Sequence, residues 1–342
     1  MEKIKEILNG LIKTPSPSGY ELLGKEALEN LVGNTFDKVY SDNLGTVVLL
    51  KKSKKENAKK LLVDAHFDTV GLMVTSVNDG GFLGVCSLGG LDTAVLPSTE
   101  VTVWGSEPIY GIITSTPPHL KSGNSKSPEL KSLYIDTGLS KEDAEKKIPI
   151  GTVITFKNEV EYINGDYVIS AGLDDKACLG ALLYAASTLD PEKMEFDLYV
   201  TASAQEETGK GGPSRAAYDI EPDLAIVTDV NFAKTDKNEE FEVIECKKGA
   251  SIDLSSICTR KTTKNIMKHL TSEKIPYQVV CEPKLTCTNA DSLSISSLGF
   301  PTVLMSIPLK AMHTPSEIVN LRDIKSLSDI VASIACNASI LD

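Results

Sequence analysis

Histidines are scarce in this sequence, and closely paired cysteines are missing. The four histidines, His66, His119, His269 and His313, leave few candidates for a histidine-based site. The seven cysteines are odd in number and widely spaced, with no Cys-x-x-Cys pair, which argues against a disulfide framework and a cysteine-rich zinc module. We therefore expect most of the cysteines to be buried, reduced thiols in a cytoplasmic protein.

Long apolar runs and an excess of positive charge are also missing. No stretch approaches the roughly 18 consecutive apolar residues that a membrane span requires, and the charged, amphipathic start at 1–6 is unlike a secretory signal. Acidic residues outnumber basic ones by 47 to 35, which gives a net charge of −12. Because proteins that track nucleic-acid phosphates are normally basic, we expect neither a nucleic-acid nor a membrane partner.

The chain has 342 residues, which predicts about two domains at roughly 150 residues each. Apolar residues at helical spacing predict helices at 4–12, 22–31, 178–189 and 324–334. Short apolar runs predict strands at 46–50, 61–66, 196–202, 224–230 and 302–307. Helices interleaved with short apolar strands favour a three-layer α/β/α domain with a largely parallel sheet.

The region from about 70 to 165 has a different texture. Gly and Pro punctuate short β-like runs there, and residues 119–148 are polar with no strong period. We interpret 70–165 as a small β-rich domain that carries a loop, inserted into an α/β domain formed by 1–69 and 166–342. The alternative is one long irregular insertion, although loops of that length are uncommon inside compact domains.

Carboxylates and histidines follow several of the predicted strands. Asp64, His66 and Asp68 would point to one face of an extended backbone, and Asp68 could hold the second ring nitrogen of a metal-bound His66. A His-x-Asp sequence is also common in structural positions.

Asp174 and Asp175 precede a helical stripe, where acids usually cap the helix, although one of them could instead bridge metal ions.

Two adjacent glutamates, Glu206 and Glu207, directly follow the strand predicted at 196–202. Like charges at the end of an apolar strand raise each other's pKa, and a bound cation would remove that penalty for one of them. The other glutamate could then act as a general base near neutral pH. The alternative is that both are ordinary solvated residues.

The last two candidates, Asp229 and His313, each close or follow an apolar run. A lone histidine in such a position is often a structural residue. Jointly, however, two histidines and at least three carboxylates at several strand ends suit a pair of divalent ions, because open α/β sheets place their sites at the carboxyl ends of strands. Nitrogen and oxygen ligands without an obvious thiolate favour zinc, cobalt or manganese.

In this order the motifs resemble the tetrahedral aminopeptidase family, a group of two-metal metallopeptidases that includes glutamyl aminopeptidases and proteins once labelled endoglucanases. The resemblance covers nearly the whole chain. The segments that carry it are AHFDTVG at 65–71, LDDKACLGALL at 173–183, SAQEETGKGG at 203–212, TDV at 228–230 and MHTPSE at 312–317, with PPHL at 117–120, DNLGTVV at 42–48 and NLRDI at 320–324 in addition.

The resemblance implies a metal ligand at five positions. His66 would bind one of two divalent ions and His313 the other, while Asp174 would bridge both. Glu207 and Asp229 would each complete the shell of one ion. Zinc or cobalt would be the expected metal, with manganese as an alternative.

The resemblance also implies roles for the neighbouring residues. Glu206 would be the general base, and Asp68 would orient His66. The peptide bond between Asp174 and Asp175 would be cis. The inserted domain would be PDZ-like and would mediate assembly into dimers and a hollow dodecamer.

The sequence departs from the family pattern near the substrate pocket. The usual Asp-Asp-Arg motif ends in Lys176, a Thr-Asp-Ala triplet contains Asn289 in place of aspartate, and an arginine often found near the final histidine is Lys310. Cys287 lies beside the triplet, near the substrate pocket; we expect it to be a buried thiol, and the alternative is a residue that contacts substrate. None of these changes replaces an implied ligand, so they bear on specificity.

The resulting hypothesis is an aminopeptidase that removes N-terminal residues from short peptides, with a water shared by two metal ions and Glu206 as the base. One alternative is a glycoside hydrolase, which would use two of the carboxyl groups across a sugar bond. A cluster that combines acidic residues with two histidines is better explained as a metal site than as a glycosidase active site. Another alternative is a catalytically silent oligomeric relative, against which the complete set of implied ligands argues.

Overall fold

The computed structural model of the chain describes residues 1–115, 127–209, 211–235 and 243–342. The PPHL segment, which contains His119, and Lys210 lie outside these residues. The helices are α1 (Glu2–Lys13), α2 (Lys25–Val32), α3 (Lys141–Lys147), α4 (Leu173–Thr188), α5 (Gly212–Ile220), α6 (Arg260–Ser272), α7 (Asn289–Leu293) and α8 (Leu321–Ala335). Among these described helices, none has the length and hydrophobicity that a bilayer span requires.

The strands are β1 (Lys38–Ser41), β2 (Val47–Lys51), β3 (Lys59–His66), β4 (Gly71–Val77), β5 (Leu83–Leu88), β6 (Glu100–Trp104), β7 (Pro108–Ser115), β8 (Leu133–Asp136), β9 (Val153–Phe156), β10 (Glu161–Ile163), β11 (Tyr167–Ser170), β12 (Phe196–Ser203), β13 (Leu224–Phe232), β14 (Ser251–Ser255), β15 (Gln278–Glu282), β16 (Thr302–Leu309) and β17 (Glu317–Asn320). The strands predicted from apolar runs are confirmed as β2, β3, β12, β13 and β16. The helices predicted at 4–12, 178–189 and 324–334 are confirmed as α1, α4 and α8, whereas the one at 22–31 begins as a 3₁₀ turn before α2.

An eight-stranded sheet lies at the centre of the fold, in the order β1-β2-β12-β3-β13-β16-β14-β15. The inner strands β12, β3, β13 and β16 run parallel, so their carboxyl ends meet at one edge. On either side of this group, β2 and β14 pair antiparallel with it. The predicted parallel sheet is therefore correct for the inner strands, and the outer strands make the α/β fold mixed.

Helices cover the inner strands on both faces. Leu61 and Val63 of β3 pack in a core shared with α1, α4 and α8, whereas Leu62 between them packs in a core shared with α5 and α7. Strands that are buried on both faces have continuous apolar sequences rather than alternating ones. This burial explains why the sequence pattern identified the inner strands and the equally buried β2, and not the more exposed β1, β14 and β15.

The region between β3 and α4 contains a closed barrel rather than an irregular insertion. Its strands close in the order β4-β5-β8-β7-β6-β9, and the described pairings are antiparallel. The barrel has a hydrophobic core of its own, with Leu72, Val103 and Ile135 among its members. The sequence suggested a loop in the polar segment 119–148, but its described residues include β8 and α3. The sequence did not reveal β8 because its four alternating residues are too few to show a period.

The N-terminal segment holds the chain where it leaves the sheet for the barrel, directly after His66. The hydroxyl group of Ser16 donates a 2.7 Å hydrogen bond to the carbonyl of Phe67, and the backbone N–H of Thr69 donates one of 3.0 Å to the carbonyl of Ser16. On the return path, β11 pairs with β17, which brings the start of α4 next to the segment that follows β16. Both chain crossings therefore lie at the carboxyl edge of the inner strands.

Candidate metal centre

All five ligands that the sequence suggested come together at the carboxyl edge of the parallel strands. His66 ends β3, Asp229 lies near the end of β13, and Glu207 follows β12. Asp174 opens α4, and His313 follows β16. Because the inner strands are parallel and adjacent, residues far apart in the sequence meet at one place.

Asp174 lies between the two histidines. Its Oδ1 is 3.0 Å from His66 Nε2, and its Oδ2 is 3.4 Å from His313 Nε2. Asp229 Oδ1 is 3.9 Å from His66 Nε2, and Glu207 Oε2 is 3.4 Å from His313 Nε2. One ligand atom each from His66, Asp174 and Asp229 lies within 4.8 Å of the others, and the same holds for Asp174, Glu207 and His313. The two groups share Asp174, as two adjacent cation sites would.

Burial and mutual repulsion act on the carboxylates of this cluster. They raise the pKa of Glu207 to about 10, with the charge of Asp174 as the main repulsion. Burial, followed by repulsion from Asp175, raises the pKa of Asp229 well above its usual range. Burial opposes the ionisation of Asp174 as well, but hydrogen bonds with the histidines outweigh it and hold the pKa of Asp174 below its usual range. Packed acids of this kind are unfavourable unless a cation offsets their charge.

Divalent cations fit this set of residues. The donor atoms are nitrogen and oxygen, which suits zinc, cobalt or manganese. Glu207 Oε1 is buried and has no hydrogen-bond partner among the described residues, so it can serve as a ligand atom. Two histidines and three carboxylates therefore offer two ligand groups with one shared carboxylate.

Asp68 supports both His66 and the glutamates after β12. Its carboxylate oxygens accept hydrogen bonds from the backbone N–H groups of Glu206, at 3.0 Å, and Glu207, at 3.1 Å. The nearer partner of His66 Nδ1 is the backbone carbonyl of Asp68, at 2.8 Å, while the carboxylate Oδ1 is 3.5 Å away. A carbonyl acceptor keeps a proton on Nδ1 and leaves Nε2 to face a cation.

Glu317 is a buried supporting residue to which the sequence pattern assigned no role. Its Oε1 accepts a 2.8 Å hydrogen bond from the backbone N–H of His313, and its Oε2 accepts one of 3.1 Å from that of Asp174. Burial raises the pKa of Glu317 well above its usual range, and repulsion from Asp174 adds to the rise. The only sign in the sequence was its place at the end of the MHTPSE segment, just before an apolar run.

Asp64 does not join either ligand group, although it lies two residues before His66. Its Oδ1 accepts a 2.6 Å hydrogen bond from the hydroxyl of Thr201, and its Oδ2 accepts one of 3.0 Å from the side-chain amide of Asn289. The same amide donates to the hydroxyl of Ser203 at 2.9 Å. Burial raises the pKa of Asp64 to about 6. Asn289 at the start of α7 is thus anchored to β3 and β12.

The peptide bond between Asp174 and Asp175 is cis, as the resemblance implied. Lys176, at the position where the family usually has arginine, is buried, and its Nζ donates a 2.7 Å hydrogen bond to the carbonyl of Thr14. This lysine therefore links α4 to the N-terminal segment. Lys310, the other basic departure, has its Nζ 5.9 Å from the centre of the Tyr167 ring.

A pocket of about 390 Å³ opens beside the cluster and includes Glu206 in its lining.

Cys287 also lines the pocket and is exposed, so the expectation of a buried thiol is wrong. All seven cysteines lie in the described part of the chain, where they form no disulfide, and Cys178 is the one that is fully buried. The prediction that most cysteines are buried is therefore also wrong.

The comparisons with known proteins agree with one another. The sequence model of the M42 glutamyl aminopeptidase family matches residues 45–330. The lysyl aminopeptidase of Pyrococcus furiosus is 31% identical over 326 residues, which cover 93% of this chain and 93% of that protein. Among solved structures, the aminopeptidase APDkam598 from the archaeon Desulfurococcus kamchatkensis has a TM-score of 0.91 at 28% identity, covering 100% of this chain and 98% of that one. The TET1 peptidase of Pyrococcus horikoshii has a TM-score of 0.84 at 27% identity, covering 97% and 99%.

The family match spans most of the chain. The similar proteins are peptidases, and the alignments cover nearly the full length of each of them. The mixed α/β fold is that of these aminopeptidases. The glycoside hydrolase alternative is therefore wrong. The chain belongs to the M42 glutamyl aminopeptidase family and is a hydrolase that acts on peptide bonds.

Proposed function

We propose that the chain is a two-metal aminopeptidase that removes N-terminal residues from short peptides. The observation that carries this proposal is the position of Asp174, whose two carboxylate oxygens face one histidine each. His66 and Asp229 would hold one divalent cation, Glu207 and His313 the other, and Asp174 would be shared. Zinc or cobalt is the proposed metal, with manganese as the alternative.

Two bound cations would lower the pKa of a water molecule and polarise the scissile carbonyl group. Glu206 would take the proton of the attacking water and pass it to the leaving amine. Its place in the pocket lining beside His66 and Asp174 supports this role, as does the hydrogen bond from its backbone N–H to Asp68. Asp68 would also orient His66, mainly through its carbonyl oxygen.

We further propose a division of labour between the two parts of the chain. Residues 1–69 and 166–342 would form the catalytic domain, with helices in three layers around the sheet, and 70–165 would be an inserted PDZ-like domain used for self-assembly. The separate hydrophobic core of the barrel supports this division. The TET1 peptidase of Pyrococcus horikoshii assembles into a tetrahedron or a large octahedral shell, so dimers and a dodecamer are the assemblies to test by light scattering.

The decisive experiment removes and restores the metal in the full chain. After treatment with a chelator, the protein is reloaded with zinc, cobalt or manganese, and bound metal and hydrolysis of aminoacyl-p-nitroanilides are measured. We expect two ions per chain and activity only after reloading. A fully loaded chain that hydrolyses no aminoacyl substrate would overturn the aminopeptidase proposal and favour the silent relative.

The base assignment is tested with Glu206→Gln. This variant should keep its metal while kcat falls about 10²- to 10⁴-fold, because the amide cannot accept the proton. The matched control is Glu29→Gln, which changes a surface residue of α2 that pairs with Lys25 at 3.7 Å. Wild-type turnover in Glu206→Gln would show that another group is the base.

A further inference from the structure

The pocket beside the proposed centre has a carboxylate in the wall formed by β14 and β15. Asp253 of β14 is fully buried and lines the pocket together with Glu282 of β15. The same pocket reaches His66 and Asp229. The first side chain of a peptide held at the proposed centre would therefore enter the pocket whose wall contains Asp253.

Two serine hydroxyl groups hold the carboxylate of Asp253 in place. Ser251 donates to Oδ1 and Ser306 donates to Oδ2, each at 2.5 Å. Each carboxylate oxygen can accept more than one hydrogen bond, so both retain capacity for a ligand. Burial raises the pKa of Asp253 to about 7 against these two hydrogen bonds, and repulsion from Glu282 adds to the rise. Among the described residues, the side-chain partners of Asp253 are these two hydroxyl groups, and no lysine, arginine or histidine forms an ion pair with it.

The rest of the lining suits a long side chain with an apolar stem. Leu304, Met312 and Phe232 contribute apolar surface to the pocket. Glu282, whose Oε1 accepts a 2.8 Å hydrogen bond from Asn231, adds a second carboxylate near Asp253. Lys284 in the lining is exposed to solvent. Lysine and arginine side chains combine a methylene stem with a cationic end group.

We propose that this pocket selects peptides whose N-terminal residue is lysine or arginine, and that Asp253 determines this specificity. The inference rests on the proposed aminopeptidase function. A cationic end group would give the buried carboxylate the partner that the protein does not supply. An N-terminal glutamate would bring a second negative charge to the same place, and an apolar side chain would leave the carboxylate desolvated and without a counter-charge.

The first test compares three substrates, two of which differ only in the end group of the side chain. Lysyl- and norleucyl-p-nitroanilide have the same unbranched stem and the same α-amino group, and only the lysyl side chain ends in an ammonium group. With the metal-loaded full chain, kcat/KM for the lysyl substrate should exceed that for the norleucyl substrate about 10-fold or more, and that for the glutamyl substrate about 100-fold or more. Equal or better hydrolysis of the norleucyl substrate overturns this inference and leaves the aminopeptidase function standing. Hydrolysis of none of the three overturns both.

The second test changes the charge in the pocket and keeps its size. In Asp253→Asn, the ratio of kcat/KM for the lysyl to the norleucyl substrate should fall about 10-fold or more. The matched control Asp329→Asn removes an exposed carboxylate of α8 that pairs with Lys325 at 2.6 Å, and it should keep the wild-type ratio. A folded Asp253→Asn variant with the wild-type ratio overturns the role of Asp253. If that variant does not fold, competitive inhibition of the wild type by lysinamide and norleucinamide makes the same comparison, and equal inhibition overturns the inference.

Discussion

The carboxylate of Asp68 accepts a 3.0 Å hydrogen bond from the backbone N–H group of Glu206. Its other oxygen accepts a hydrogen bond from the backbone N–H group of Glu207, and Asp68 itself is fully buried. One side chain on the chain segment after β3 thus fixes two consecutive residues after β12. The proposed base and a proposed ligand therefore share one support, which also contacts His66.

Asp68→Asn should impair this support without removing a proposed ligand. An asparagine side chain has one acceptor oxygen and one donor amide, so one of the two N–H groups loses its partner. We expect kcat to fall about 10- to 100-fold and metal affinity to fall by a similar factor. Steady-state kinetics and metal titration measure the two effects.

The control for that variant is Asp136→Asn at the end of β8. Its carboxylate accepts a 2.9 Å hydrogen bond from the backbone N–H of Gly138, but it lies in an exposed turn of the barrel. This variant should keep wild-type kinetics. Unchanged kcat and metal affinity in Asp68→Asn would contradict the support assigned to Asp68.

The residue at position 289, where this sequence departs from the family pattern, forms a buried pair with Asp64. Aspartate at position 289 would face the carboxylate of Asp64 in a buried site, where the present amide donates a 3.0 Å hydrogen bond. Asn289→Asp should therefore lower the free energy of unfolding by about 2–4 kcal/mol. The double variant Asp64→Asn/Asn289→Asp, which again pairs one acid with one amide, should recover about half of that loss or more. Thermal or urea unfolding of the single and double variants gives the coupling, and strictly additive effects would contradict it.

Metal removal should lower the stability of the fold. Cations that bind the native chain and not the unfolded chain stabilise it by about 2.7 kcal/mol for each site when their concentration is 100 times Kd. The midpoint of thermal unfolding should therefore fall after chelation and rise again with zinc, cobalt or manganese. His313→Ala should lose part of this response because one ligand group is incomplete. A midpoint that does not respond to metal in the wild type would contradict cation binding at this cluster.

Asp253 should give the fold a pH dependence of defined sign. Burial raises its pKa from 3.8 to about 7, so between these pH values the native state holds a proton that the unfolded state has released. Stability is therefore lost as the pH rises through this window, at up to about 1.4 kcal/mol per pH unit. The asparagine in Asp253→Asn does not titrate. Between pH 4 and pH 8, the free energy of unfolding of the wild type should therefore fall by about 4 kcal/mol relative to that of the variant. Unfolding of the metal-free proteins across that range measures the difference, and parallel pH profiles would contradict the raised pKa.

The ligand cluster could be predicted from the sequence because most of its members close apolar runs. His66 and Asp229 lie at or near the ends of strands that are buried on both faces, and such strands have recognisable sequences. The carboxyl ends of adjacent parallel strands meet at one edge, so the strand pattern predicted that these residues lie close together, and the family resemblance assigned the individual ligands.

The supporting contacts could not be predicted in the same way. Asp68 and Glu317 bind backbone N–H groups of distant segments, and every residue except proline carries such a group. Asn289 differs from the family pattern, but nothing local to it pointed to Asp64 in β3. Closure of the barrel was likewise hidden, because it depends on the register of short strands and not on their composition.

The spacing of the clustered residues along the chain has a consequence for the order of events during synthesis. His66 leaves the ribosome before the barrel, and Asp174 follows only after the barrel is complete. A nascent chain that ends before His313 lacks a member of one of the two groups, however well its first strands have paired. Assembly of the complete cluster is therefore a late step, because His313 follows β16 in the chain.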